Sequence, residues 1–373
     1  MEKRFKNRII ILLVFALVFF SLLSVNCSIG DDESLDTQLD PQIEELAHIT
    51  DTGGDTFKSF IRNNLLYVLD IVGGFKIYNI EDPTNPTLIG SFDDGNYSYE
   101  MHIVDNLLYL ANNDQGLEIY DVSEPTAPVK LGTIGDDGNG TIDAVYVDNG
   151  LAYVAEWHGG YYGYGIMQIF DVTTPSAPKK VGEYYDEDNR FFNFVVRDKI
   201  CFASCLDGGF KILDVTDSAN VTEISKYKDI NCYTWSSLVA EDIAYIANGP
   251  HGLEILNISV IESPEKIGRY DTIQFAFCVE VVDTIAFLVE DETGLKILDI
   301  SDNQNITKLN EFATEDITHV SVQDDLLSIT MHEYGLKILK ITWLYETRSA
   351  SSTAFLGLVL LIVSQLWKKK KKV

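Results

Sequence analysis

A glycine-rich run of aromatic residues is the part of this sequence best suited to bind another molecule. It contains Trp157, His158, Tyr161, Tyr162 and Tyr164, with glycines among them. Exposed aromatic rings present flat apolar faces and polar tips, which suit stacking on a sugar or packing in a protein interface. The alternative is a structural role, in which these rings cap the end of a barrel and fill its mouth.

Metal-binding and catalytic motifs are incomplete or missing. Residues Asp137 to Asp143 resemble the middle of a calcium loop, but Gly135 and Tyr146 stand at positions one and twelve, where carboxylates are required. A turn is therefore favoured over a Ca²⁺ site, and Ca²⁺ is the only cofactor suggested. The histidines are scattered and are expected to be ordinary exposed residues. The sequence has no nucleophile elbow, zinc-protease motif or phosphate loop, and this predicts a protein that is not an enzyme.

These residues lie within a repeat of the form Gly-apolar-x-Ile-x-Asx-apolar, which occurs seven times. The residues at its sixth position are Asn79, Asp121, Asp171, Asp214, Asn257, Asp299 and Lys340. Successive spacings are 42, 50, 43, 43, 42 and 41 residues. Seven strand-like copies at this period predict an all-β, seven-bladed β-propeller with four strands in each blade.

The ends of the repeat array indicate how the ring closes. In the second copy the strands are predicted at residues 99–104, 107–111, 116–122 and 129–134. Prolines precede the fourth strand of several copies, as an outermost strand allows. The last copy stops at Trp343 after its third strand, whereas residues 44–50 resemble an isolated fourth strand. We therefore expect the N-terminal strand to complete the last blade and hide both edges.

The copies GLKILDIS from Gly294 and GLEIYDVS from Gly116 resemble the LVIVD repeat, which is found in propellers on bacterial and archaeal cell surfaces. The resemblance covers roughly residues 44 to 343. It implies a surface propeller with a mostly undefined ligand. The third copy departs from the pattern, because Gly165 is displaced by one residue and the loop before it is long.

Two cysteines are placed where a disulfide is possible. Cys205 is expected to end the second strand of the fourth blade, and Cys232 to follow that blade's fourth strand, on the same face. A bridge between them would close a loop of roughly 30 residues and contribute about 3 kcal/mol. The alternative is that both cysteines are small buried apolar residues.

N-glycosylation sequons also fit an extracytoplasmic protein. Four of them fall in predicted loops, at Asn96, Asn139, Asn220 and Asn305. A fifth, at Asn257, ends a predicted strand and is the poorest acceptor.

Both ends of the chain carry membrane signals. Residues 1–27 are predicted to be a signal peptide or an N-terminal anchor, residues 28–43 an acidic linker and residues 44–343 the propeller. A short linker at 344–353 precedes a predicted transmembrane helix at 354–367, which can begin near residue 349. The basic tail at 368–373 is expected in the cytoplasm, so the propeller is expected outside the cell. The alternative for residues 354–367 is a buried helix, and a lipidated Cys27 is disfavoured by Asn26 before it.

The strongly acidic composition of the chain limits the kinds of molecule that it can bind. Without the basic termini, the remaining chain holds 19 basic and 56 acidic residues, a formal charge of about −37. Such a surface repels phosphate backbones, so nucleic acid is not expected as a partner. We expect a membrane-anchored surface module for adhesion or envelope scaffolding, which binds a protein or glycan. The alternative is a propeller enzyme, or a ligand- or metal-binding protein, that uses the mouth of the central channel.

Overall fold

The computed structural model describes residues 37–347, except for residues 94, 96, 114, 136–139, 160–162 and 188. The described strands lie almost entirely within one compact unit, Leu39–Leu344. The predicted signal or anchor and the predicted helix at 354–367 lie outside the described residues. Those that are described form only strands and loops, so none of them belongs to an apolar helix of membrane-spanning length.

Seven four-stranded sheets account for every strand that the structure describes. Blade 1 consists of β2 (Thr56–Arg62), β3 (Leu65–Asp70), β4 (Gly74–Asn79) and β5 (Thr87–Phe92). Blade 2 consists of β6 (Ser98–Val104), β7 (Leu107–Asn112), β8 (Gly116–Asp121) and β9 (Val129–Ile134). Blade 3 consists of β10 (Gly140–Asp148), β11 (Leu151–His158), β12 (Tyr164–Asp171) and β13 (Lys179–Asp186). Blade 4 consists of β14 (Asn193–Arg197), β15 (Ile200–Ser204), β16 (Phe210–Asp214) and β17 (Thr222–Tyr227).

The remaining blades complete the ring. Blade 5 consists of β18 (Ser236–Ala240), β19 (Ile243–Ala247), β20 (Leu253–Asn257) and β21 (Glu265–Tyr270). Blade 6 consists of β22 (Ala276–Val282), β23 (Ile285–Glu290), β24 (Gly294–Asp299) and β25 (Thr307–Phe312). Blade 7 consists of β26 (His319–Gln323), β27 (Leu326–Thr330), β28 (Leu336–Thr347) and β1 (Thr37–Ile49). The predicted seven-bladed propeller is confirmed.

The first strand of each blade lies innermost. These strands contact one another around the ring, β2 with β6 and β26, and β22 with β18 and β26. The second and third strands are almost wholly buried, and their apolar side chains form the cores between neighbouring sheets. The fourth strands, such as β5 and β9, are more exposed, and neither of these two contains a fully buried residue. This order places the channel-facing side chains on seven equivalent strands.

The repeat motif has a direct structural cause. Its first residue is a glycine with positive φ, for example 84° at Gly116 and 89° at Gly294, a backbone conformation that glycine adopts without strain. Its sixth residue accepts a hydrogen bond from the backbone N–H two residues on, as Asp121 does from Ser123 at 2.8 Å. This Asx turn directs the chain toward the fourth strand. Lys340 departs from the motif because β28 continues there and no such turn is made.

Neighbouring blades approach closely at the outer strands. A Cβ placed on Gly90 would lie 1.9 Å from the carbonyl oxygen of Pro125, and one placed on Gly182 would lie 1.6 Å from that of Ser218. Each glycine lies next to a register shift in the pairing of its blade's third and fourth strands, β4 with β5 for Gly90 and β12 with β13 for Gly182. A side chain at these positions would therefore push two blades apart.

The ring closes at blade 7 through the N-terminal strand, as predicted, although that strand begins at Thr37 rather than at residue 44. Glu45 forms an ion pair of 3.0 Å with Lys337. The Asn310 amide of blade 6 donates a hydrogen bond of 2.5 Å to the carbonyl of Pro41. Ile43 packs on the core between blades 6 and 7. The seam thus uses apolar, ionic and hydrogen-bonded contacts.

Candidate functional site in the central channel

Seven equivalent residues at the start of the first strands surround one mouth of the channel. Four occupy β-bulges, which redirect a side chain out of the regular alternation. The others directly precede their strands. We call this set the mouth ring: Phe57, Tyr99, Asp143, Phe192, Trp235, Phe277 and Thr318. It surrounds a cavity of about 410 Å³, within the usual range for small organic ligands, roughly 300–1,000 Å³.

The aromatic members of the mouth ring form two arcs. Trp235 packs edge-on between Phe192 at 4.8 Å and Phe277 at 5.2 Å between ring centroids. Across the mouth, Phe57 and Tyr99 meet edge-to-face at 6.4 Å. These T-shaped contacts hold the rings in fixed orientations, because the edge of one ring faces the electron-rich face of another. The mouth is therefore a preformed, partly apolar cavity.

An ion pair separates the two arcs. Arg190 donates two hydrogen bonds of 2.6 Å to the carboxylate of Asp143. The same guanidinium lies 4.7 Å from the ring centroid of Phe192 and 5.9 Å from that of Trp157. Burial raises the pKa of Asp143, and the bonds from Arg190 oppose that shift. Through Arg190, the predicted binding residue Trp157 is joined to the mouth ring.

A second ring lies one residue further along the first strands and separates two cavities. Its six members line both the upper cavity and a lower one of about 280 Å³. We call this set the floor ring: Lys58, Glu100, Asn193, Ser236, Cys278 and His319. Lys58 and Glu100 form a partly buried ion pair at 2.5 Å. The floor ring offers hydrogen-bonding groups directly below the aromatic walls.

The lower cavity contains titratable groups in a poorly hydrated setting. Burial raises the pKa of Glu280 to about 7, with the Lys58 ammonium opposing the shift. Burial and Lys58 both lower the pKa of His102 to about 4, so this imidazole is neutral at physiological pH. Its Nδ1 accepts a hydrogen bond of 2.8 Å from the Val147 amide, and its ring stacks on Tyr146 at 4.6 Å. The lower cavity can therefore change its charge near neutral pH through Glu280.

Exposed apolar side chains are concentrated on the mouth face. We define this face by the loops between second and third strands and the loops between blades, which open beside the upper cavity. Of the fourteen exposed large apolar residues in the described part of the chain, nine lie in these loops or at the strand ends beside them: Val72, Tyr97, Tyr164, Tyr185, Ile230, Tyr233, Ile273, Phe275 and Tyr334. Isolated exposed apolar residues are ordinary, but clustering on one face marks an interaction surface.

The predicted aromatic loop is a strand extension beside this face. β11 continues to His158 and β12 starts at Tyr164, so much of the predicted loop is hairpin. His158 is buried, not exposed as expected; it contacts Glu156 at 2.8 Å and stacks on Tyr164 at 5.1 Å. Trp157 is half-buried against Arg190, whereas Tyr164 is 42% exposed. Tyr161 and Tyr162 lie outside the described residues.

All four cysteines in the described part of the chain are free and buried. The predicted bridge between Cys205 and Cys232 is not formed here. The Cys205 thiol lies 3.5 Å from the carbonyl of Ala203, and the Cys232 thiol lies 4.0 Å from that of Asp207. Burial raises the pKa of both thiols, so neither is a reactive thiolate in this fold.

The predicted glycosylation sites are only partly described. Asn220 and Asn305 are exposed in turns, where an oligosaccharide can be accommodated. Asn257 uses its side chain to accept a hydrogen bond from the Ser259 amide. Asn96 and Asn139 lie outside the described residues.

The residues that resembled a calcium loop do not assemble a carboxylate cluster in the described part. Asp143 lies in β10, where its carboxylate accepts hydrogen bonds from Arg190. Residues 137–139 are not described. Elsewhere, Asp229, His251 and Glu254 lie close enough to share a metal ion. There, the Lys266 ammonium already contacts Asp229 at 2.8 Å and Glu254 at 3.1 Å. A lysine thus neutralises the position that a metal ion would occupy.

Sheets of four strands arranged sevenfold around a channel define the class of this protein as a β-propeller. The LVIVD repeat model matches residues 53–94, 95–135 and 233–272, which fall on blades 1, 2 and 5. The chain is therefore a seven-bladed propeller that carries LVIVD repeats.

Solved structures show the same fold at low sequence identity. The WD40 β-propeller domain of Doa1 is 11% identical, with a TM-score of 0.64 over 80% of this chain and 97% of that one. The computationally designed Ika8 protein is also 11% identical, with a TM-score of 0.59 over 79% of this chain and 99% of that one. No curated protein sequence matches the chain significantly.

Proposed function

We propose that this chain is an extracellular, membrane-anchored binding module that engages a protein or glycan partner through its mouth face. The observation that carries the proposal is the clustering of exposed apolar residues around an open, aromatic-lined cavity. Propellers present such faces on a rigid ring, so binding requires little ordering of the protein and the associated entropy cost is small. The basic N-terminal residues, the apolar stretches and the acidic middle of the sequence support the extracellular placement.

Binding is tested with variants of the mouth face. Tyr233 and Phe275 lie on adjacent loops, with rings 6.1 Å apart, and are 41% and 39% exposed. A Tyr233→Ser, Phe275→Ser double variant is expected to lose capture of a cell-surface partner. The matched control changes Leu88 and Val129 to Ser, since these residues are more exposed than Tyr233 and Phe275 but lie on outer strands. If both double variants lose capture of the partner to the same extent, or both retain it, the mouth face is not the binding surface.

The topology is tested separately on living cells. Protease added to intact cells is expected to digest the propeller, because residues 44–343 are proposed to be outside. Digestion only after lysis would show that the extracellular placement is wrong.

A further inference from the structure

Two ring nitrogens in the upper cavity have no hydrogen-bond partner. His319 in the floor ring is only 6% exposed, and its Nδ1 is unpaired. Nε1 of Trp235 in the mouth ring is likewise buried without a partner. An unpaired buried polar group is unfavourable, because it has lost its hydrogen bonds to water without gaining others. Both side chains line the upper cavity, which makes them candidates for hydrogen bonds to a ligand with polar substituents.

The other groups of the floor ring supply a mixture of donors and acceptors. The Asn193 amide and the Ser236 hydroxyl line the same cavity, directly below Phe192 and Trp235 in their own blades. Burial lowers the pKa of His319 well below its usual value, so its imidazole is neutral and has one donor and one acceptor nitrogen. A ligand rich in hydroxyl groups matches this floor, because a hydroxyl both donates and accepts.

Charge disfavours an anion throughout the cavity and a second cation at its floor. Its two cations are already paired, Lys58 with Glu100 and Arg190 with Asp143, and Lys58 at the floor would repel another buried cation. Asp291 and Asp316 at the rim leave the lining net negative, which disfavours an anion. The strongly acidic surface of the chain adds to that repulsion.

We propose that the upper cavity binds a neutral sugar residue at the end of a glycan. The apolar face of the sugar ring would lie on the aromatic arc of Phe192, Trp235 and Phe277. Its hydroxyl groups would pair with the ring nitrogens of His319 and Trp235. This proposal rests on the proposed function, because it takes the mouth face as the ligand-binding side and names the ligand class.

The test uses the full chain in detergent and a panel of defined oligosaccharides. Glucose-, galactose-, mannose- and N-acetylglucosamine-terminated probes are compared with glucuronate-terminated and choline-bearing probes by calorimetry. Saturable binding of at least one neutral probe is expected. Trp235→Leu and His319→Ala are each expected to weaken it about tenfold, which corresponds to about 1.4 kcal/mol, because each removes a hydrogen-bonding ring nitrogen from the cavity. Tyr334→Ala, an exposed aromatic on the same face but outside the cavity lining, is expected to leave affinity within about twofold.

A milder variant keeps the test decisive if the buried ring substitutions unfold the protein. Ser236→Ala removes only a hydroxyl from the floor ring and is expected to weaken the same probe while the melting temperature is unchanged. Three results would overturn the sugar site. They are no binding of any neutral probe, preferred binding of a charged probe, or an affinity for the neutral probe that is unchanged in the Trp235, His319 and Ser236 variants. In each case, the Tyr233 and Phe275 capture experiment still decides independently whether the mouth face binds a partner.

Discussion

Replacing Glu280 with glutamine is expected to stabilise the propeller at alkaline pH and to leave its stability nearly unchanged in acid. Glu280 lies on β22 and faces the lower cavity, where burial raises its pKa from 4.5 to about 7 and Lys58 opposes the shift. In the unfolded chain the carboxyl ionises near pH 4.5. Between pH 4.5 and 7 the folded protein therefore holds a proton that the unfolded chain has released.

The sign of the effect follows from this difference in bound protons. The folded state binds more protons than the unfolded state, so the free energy of unfolding falls as pH rises through this window. The full penalty is present above pH 7 and absent below pH 4.5. At 1.36 kcal/mol per pKa unit, the shift corresponds to at most about 3 kcal/mol. Partial access of the carboxyl to the channel reduces this value, so we expect between about 1 and 3 kcal/mol.

Urea denaturation at pH 4.5 and pH 8 measures the effect for wild type and Glu280→Gln. The variant is expected to unfold at higher urea at pH 8 and at similar urea at pH 4.5, with unchanged slope. At pH 4.5 the unfolded chain protonates His102 and His319, whereas burial keeps both imidazoles largely neutral in the folded protein. This destabilises wild type and variant alike and cancels in the comparison. Glu262→Gln, at an exposed site, is the control and should match wild type at both pH values. A Glu280→Gln variant that is less stable at pH 8, or equally shifted at both pH values, would refute the reasoning.

Three further predictions concern the ring itself. Deleting residues 44–50 removes nearly half of the closing strand β1, Thr37–Ile49, and should lower the free energy of unfolding by several kcal/mol; an unchanged melting temperature would contradict the closure seen here. Gly182→Ala should cost about 2–4 kcal/mol in chemical denaturation because its Cβ meets a neighbouring carbonyl, whereas Gly135→Ala, with open space around it, should be nearly neutral. Peptide mapping without reduction should find Cys205 and Cys232 as free thiols; a linked peptide pair would instead establish the bridge considered from the sequence.

The fold was predictable because the repeat encodes its own turns. The glycine at the first motif position and the Asx residue at the sixth both have specific backbone roles, so their spacing gives the blade length directly. Residues 44–50, which resemble an isolated fourth strand, likewise predicted that the N-terminal strand completes the last blade. Its start at Thr37 was not predictable, since residues 37–43 carry no clear apolar alternation.

The candidate site was less predictable, because it is assembled from one residue of each blade. A signal did exist: Phe57, Tyr99, Phe192, Trp235 and Phe277 each precede the sixth motif position of their copy by 22 residues. Aromatic residues in strands are ordinarily assigned to the core. Their place at the channel mouth becomes clear only from the bulges at Phe57, Tyr99 and Phe277, and from the positions of Phe192 and Trp235 just before their strands. The aromatic run near Trp157 attracted attention by composition, but it contributes to the mouth mainly by holding Arg190.

The pairing of the first and last strands in blade 7 also imposes an order on biogenesis. β1 leaves the ribosome first, yet its partner β28 is made only after six other blades. Contacts between such distant segments form slowly. The entropy cost of closing a very long loop comes before the contacts can stabilise the chain. During synthesis, the first blade and the most recently made blade each leave one apolar sheet face uncovered, and a chain with such exposed surface is prone to aggregate. A chain truncated anywhere before β28 lacks the strand that pairs with β1, so its ring cannot close. The closed ring therefore forms only after all seven blades have been synthesised.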